Sequence, residues 1–133
     1  MVQMDTQHVT LWVVEGTYAV CRLERLAELP VWAMRSNLLS ITRTADELSV
    51  VCDQSEVPDS IKCERDWKCL KVAGPLNFEL TGVLASLASP LAEADVSIFA
   101  ISTYETDYLL VKEDKLALAL EALRATGHQI EEG

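Results

Sequence analysis

Beyond Trp67 the hydrophobic residues change their spacing in a set order, and that order limits what the chain can fold into more than any other feature. A strand-like run at 67–73 gives way to helical spacing, with Leu80, Val83, Leu84, Leu87 and Leu91 on one stripe. Asn77 stands where a helix N-cap belongs, so a helix is predicted over 78–94. Pro90 falls inside it and removes a backbone donor, which predicts a bend or a tightened last turn. Two strand-like runs follow, at 96–102 and 107–111. A second helix then starts near Glu113 and Asp114, whose charges suit the positive end of the helix dipole, and it turns Leu116, Leu120 and Leu123 inward. Gly127 is expected to close it in the left-handed conformation, before a last strand at 128–130.

Strand, long helix, strand, strand, long helix, strand is the split βαβ order of the ferredoxin-like fold. The N-terminal half reads as the same order with shrunken helices. Strands are predicted at 8–14, 17–23, 38–44 and 47–52, with short helical turns at 29–34 and 57–61, each carrying a proline near its start. Glu15-Gly16 and Ala45-Asp46 mark tight reversals. This half lacks a last strand of its own, because 67–73 runs into the following helix, and the strand at 8–14 is free to fill the vacancy. The expectation is an α+β fold of two βαββαβ units side by side. Residues 1–66 form the degenerate one and 67–133 the one with full helices.

Charge and motif content narrow the function. A chain of 133 residues with a formal charge of −10 repels phosphate backbones and anionic lipid, and its Lys and Arg residues are scattered among carboxylates, so neither nucleic acid nor membrane is an expected partner. The start, 1–5, lacks the basic and apolar segments of a secretory signal, and no apolar run approaches membrane-spanning length, which points to the cytoplasm. His8 and His128, near opposite ends, offer no metal-ligand spacing, and no nucleophile elbow, phosphate loop or dinucleotide fingerprint appears. No enzyme activity and no cofactor are expected. Trp12, Trp32 and Trp67 suit core or interface positions better than a pocket. Cys21, Cys52 and Cys69 lie in strand-like runs as small hydrophobes, and Cys63, among polar residues, is the candidate reactive thiol. Half the residues are hydrophobic, which suggests that a second copy covers part of the surface.

The stretch 72–111, VAGPLNFELTGVLASLASPLAEADVSIFAISTYETDYLLV, resembles the ligand-binding half of an ACT domain. The marks are a strand ending in Gly74, a helix opening with Thr81-Gly82-Val83-Leu84, the Leu91-Ala92-Glu93-Ala94 helix end and the strand pair 98–102 and 107–111. Ile101-Ser102-Thr103 resembles the corresponding segment of aspartate kinase regulatory domains. With TYAVCRL near Thr17 and LSVVCD near Leu48, the whole chain is similar to small stand-alone tandem ACT proteins, related to the ACT repeats of the cytosolic arginine sensors. The resemblance implies a regulatory, homodimeric module that binds a free amino acid and acts on a protein partner; an interaction module that has lost the ligand is the alternative.

The residues suit that chemistry. Gly74 and Gly82 let backbone pass close to a ligand, or else serve a turn and tight helix packing. Main-chain N–H groups from Gly74 to Val83, Thr81 among them, suit a carboxylate. The carbonyls near Ala100 and Ile101 and the carboxylate of Asp107 suit an ammonium. Ser102, Thr103 and Thr106 line the same turn or simply satisfy their own hairpin backbone. Asp107, beside Tyr108, Leu109 and Leu110, needs a partner: a ligand ammonium, solvent at an edge, or Lys112.

Overall fold

In the computed structural model, which describes residues 8–74 and 82–132, seven strands and two α-helices follow one another with short 3-10 turns between them. The strands are β1 (Thr10–Leu23), β2 (Ser40–Arg43), β3 (Leu48–Asp53), β4 (Cys63–Val72), β5 (Phe99–Ser102), β6 (Asp107–Lys112) and β7 (Gln129–Glu132). Helix α1 (Val83–Glu93) lies between β4 and β5, and α2 (Leu116–Ala125) between β6 and β7. The chain is an α+β protein with a mixed sheet and few helices. It divides into two compact units, Gly16–Trp67 and the described residues on either side of that segment; β1 and β4 contribute residues to both.

In the flanking unit the strand order is β7, β1, β4, β6, β5. The first part of β1 pairs in parallel with β7, Leu11 opposite Ile130, and β5 pairs antiparallel with β6, Phe99 opposite Leu110. Leu70, Val72, Leu87, Leu91, Leu109 and Leu123 form the centre of its core. On α1 the buried residues are Val83, Leu87, Pro90 and Leu91. Leu84, assigned to that stripe from the sequence, is 37% exposed, because the one-residue step from Val83 turns it about 100° away. Both helices end in a Schellman motif. The Val96 N–H donates to the Leu91 carbonyl around Asp95 at φ 63, and the His128 N–H to the Leu123 carbonyl around Gly127 at φ 97. Helix α2 ends the same way without a proline, so this ending of α1 is not an effect of Pro90. His128 itself is buried. Its Nδ1 accepts the Val9 N–H at 3.2 Å while Nε2 lies 3.0 Å from the Ser86 carbonyl, so the neutral ring with its proton on Nε2 satisfies both contacts.

In the Gly16–Trp67 unit the order is β2, β3, β1, β4. Strand β3 is antiparallel to both neighbours, Ala19 facing Cys52 and Ser40 facing Val51. The core is Ala19, Cys21, Ala33, Leu48, Val50 and Cys52 with Val57. Single 3-10 turns at Val31–Ala33 and Gln54–Glu56 stand where helices would be.

Four sequence expectations are corrected here. Glu15 and Gly16 do not reverse the chain; β1 runs unbroken through them, and Gly16 at φ 110 absorbs a local irregularity within the strand. The strand at 8–14 is therefore not the missing last strand of the N-terminal half; it pairs with β7, and β4, starting at Cys63, stands beside β1. The first long helix begins at Val83 and not at 78, since Gly82 is left-handed at φ 83; 78–81 lies outside the described residues, as do Asn77 and Leu80. A 3-10 turn at Gln54–Glu56 precedes the expected 57–61, which holds one turn closed by the Ile61 N–H on the Pro58 carbonyl and not a helix.

Candidate functional site

The candidate residues gather at the end of the flanking unit where β4 and β5 finish and where β6 and α1 start. Past Val72 the chain continues to Gly74, which is exposed. Helix α1 opens from Gly82, whose left-handed backbone favours glycine, and no side chain caps its first turn among the described residues. An added Cβ at Gly82 would meet nothing within 4 Å, so the glycine is required by its φ and not by crowding. Val83 is buried in the core, which leaves its main chain as the part that can meet a ligand. The free first-turn N–H groups of a helix carry partial positive charge and suit an anion.

The β5–β6 turn is held from three directions. The Thr103 N–H donates to the Thr106 carbonyl at 2.8 Å, and the Thr103 hydroxyl bonds the same carbonyl at 3.0 Å. The buried Thr106 hydroxyl donates to the Val72 carbonyl at 2.7 Å, tying the turn to the end of β4 just before Gly74. Ser102 and Asp107 face each other across the hairpin, and the Ser102 hydroxyl donates to Asp107 Oδ1 at 2.6 Å. Asp107 thus has a partner that the sequence did not suggest. Next along β6, Tyr108 takes the Lys71 ammonium 6.0 Å from its ring centroid, while Ile101 lies opposite Tyr108 and is half-buried.

The structure therefore brings together Ile101, Ser102, Thr103 and Asp107 on one hairpin, with Gly74 at the neighbouring strand end and Gly82 and Val83 at the helix start. Thr81 lies outside the described residues. Thr106, read from sequence as a hairpin residue, proves to be the tie between hairpin and β4. No local pattern signals a bond to a carbonyl 34 positions earlier. Chemically the arrangement sets an anion-favouring helix start and a carboxylate at the same end of one unit.

Residues 62–125 match the family model of the ACT domain, and residues 16–60 match a second model that describes an N-terminal domain. The human cytosolic arginine sensor for mTORC1 subunit 1 is 41% identical over 59 residues, which are 44% of this chain and 18% of the sensor's length. A crystal structure of an Agrobacterium tumefaciens protein is 35% identical with a TM-score of 0.91, covering 96% of this chain and 95% of that one. The regulatory subunit of Thermus thermophilus aspartate kinase shares the fold at 8% identity, with a TM-score of 0.61 over 88% of this chain and 97% of that chain.

Proposed function

We propose that the chain, whose residues 62–125 match the ACT domain model, is a non-catalytic regulatory module that binds a free amino acid. The observation that carries the reading is the helix start at Gly82 and Val83 sharing one end of a unit with the Ser102–Asp107 pair. The ligand carboxylate takes main-chain N–H groups between Gly74 and Val83, with Thr81 beside them. Its ammonium takes Asp107 and the carbonyl of Ile101, and Ser102 and Thr103 border the side chain. The same reading treats the chain as two ferredoxin-like units, 1–66 and 67–133, the first keeping the strand order while 3-10 turns replace its helices. We place the module in the cytoplasm as a homodimer that passes the signal to a protein partner. No helix among the described residues is long and apolar enough to cross a membrane.

Thermal shift with the twenty amino acids and their N-acetyl derivatives tests the site. A free amino acid is expected to raise the melting temperature where its acetylated form does not, because both ends of the ligand are read. Asp107→Asn is expected to keep the fold and lose most of that shift. No shift with any amino acid at about millimolar concentration would favour the second reading, an interaction module on the same scaffold. That reading draws on a run of apolar side chains turned to solvent, Leu26, Leu29, Val31 and Met34.

A further inference from the structure

The Gly16–Trp67 unit holds three thiols on adjoining strands, Cys21 on β1, Cys52 on β3 and Cys63 on β4. Cys21 and Cys52 are fully buried in the core of that unit, and Cys63, partly exposed, packs against the same cluster. The two pairings of Cys21 are not equivalent. On the β3 side its opposite residue is Val50, and Cys52 faces Ala19, so Cys21 and Cys52 are diagonal neighbours. On the β4 side the Arg22 N–H donates to the Lys62 carbonyl at 3.0 Å, which makes Arg22 and Lys62 a hydrogen-bonded pair. At the other end of the same two strands the Ala73 N–H donates to the Thr10 carbonyl, so β1 and β4 run antiparallel, and the pair that follows from Arg22 and Lys62 is Cys21 with Cys63, at a non-hydrogen-bonded position.

That difference decides which bridge can form. Residues opposite each other at a non-hydrogen-bonded position have Cα atoms roughly 4.5 Å apart, inside the window that a disulfide spans, about 4.4 to 6.8 Å. Diagonal neighbours lie roughly 7 to 8 Å apart, outside it. Among the described residues no group of three His, Cys, Asp or Glu converges to hold a metal ion.

We propose that Cys63 and Cys21 are a thiol–disulfide exchange site, in which Cys63 receives a small-molecule disulfide and Cys21 resolves it into a cross-strand bridge between β1 and β4. Cys63 gives up its proton and attacks one sulfur of the small disulfide, forming a mixed disulfide and releasing one small thiol. Cys21 then loses its proton and attacks the Cys63 sulfur, closing the bridge and expelling the second small thiol. Two electrons pass from the cysteines to the small disulfide, and the two protons leave with the two thiols.

The division of roles follows from surroundings. Cys63 is the thiol that solvent reaches. The hydrogen bond with Cys52, together with burial, holds Cys21 strongly protonated, so Cys21 does not start the exchange and its attack on Cys63, in which its proton passes to the departing small thiol, is the slow step. Burial also pushes Cys63 up, so exchange accelerates as the pH rises above neutral.

The test incubates the full chain with oxidised glutathione, quenches in acid, and maps peptides without reduction. Titratable thiols in denaturant are expected to fall from four to two, with Cys21 linked to Cys63, and dithiothreitol should restore all four. Cys63→Ser should abolish the loss and Cys52→Ser should retain it, each variant being checked for the native melt. A Cys21–Cys52 bridge, a lasting glutathione adduct on Cys63, or thiols that stay reduced under excess glutathione disulfide would each overturn the proposal. The wild-type peptide map decides even if a variant folds poorly.

Discussion

The two units differ in what covers their strands, and the side chains beneath are sized accordingly. In the unit with α1 and α2, the two helices supply Val83, Leu87, Leu91, Ala119, Leu120 and Leu123 to the core, and the strands answer with Leu11, Leu70 and Leu109. In the Gly16–Trp67 unit the turn Val31–Ala33 supplies one buried residue, Ala33. A single turn brings little volume, so close packing is reached with Ala19, Cys21, Val50 and Cys52 around one leucine, Leu48. Cysteine is common there for its size, and the thiol chemistry proposed above follows from a packing solution.

Four substitutions would break or sharpen this contrast. The largest effect is expected for Leu87→Ala, fully buried under α1, at roughly 2–5 kcal/mol in urea melts. Leu84→Ala, three residues earlier and part-exposed, is expected to cost below about 1 kcal/mol; equal losses would refute the assigned helix face. Next comes Ala33→Leu, where the extra volume has no room and a loss of about 1–3 kcal/mol is expected. Unchanged stability there would mean that the thin cover is not what limits side-chain size. The smallest effect is a gain, about 0.5–1 kcal/mol for Asp95→Gly, since a left-handed C-cap suits glycine better than aspartate. A loss on the same measurement would show that the Asp95 side chain supports the end of α1.

Local chemistry was legible in the sequence and partner choice was not. Gly127 announces a left-handed cap because only neighbouring residues decide it. Gly16 misled, since a glycine after a polar residue marks a hairpin and a strand irregularity alike, and the neighbouring strands select between them. Cys63–Trp67 escaped notice as strand because CERDW alternates exposed charge with only partial burial until Trp67. At the site, both strands of the hairpin could be read, but the register that sets Ser102 opposite Asp107 depends on the geometry of the turn. The Thr106 bond to Val72 joins residues far apart in sequence and has no local trace.

The contact between Val9 and His128 spans 119 positions, and β1 meets β7 over a similar distance. Its consequence lies in the order of assembly. Every residue of Gly16–Trp67 has left the ribosome long before β7 has been synthesised, so that unit can close first, whereas the unit that carries the candidate site must hold the start of β1 unpaired on one side until the last strand arrives. During translation the half-made protein therefore presents Thr10–Val13 as a strand edge left open on one side until β7 is made.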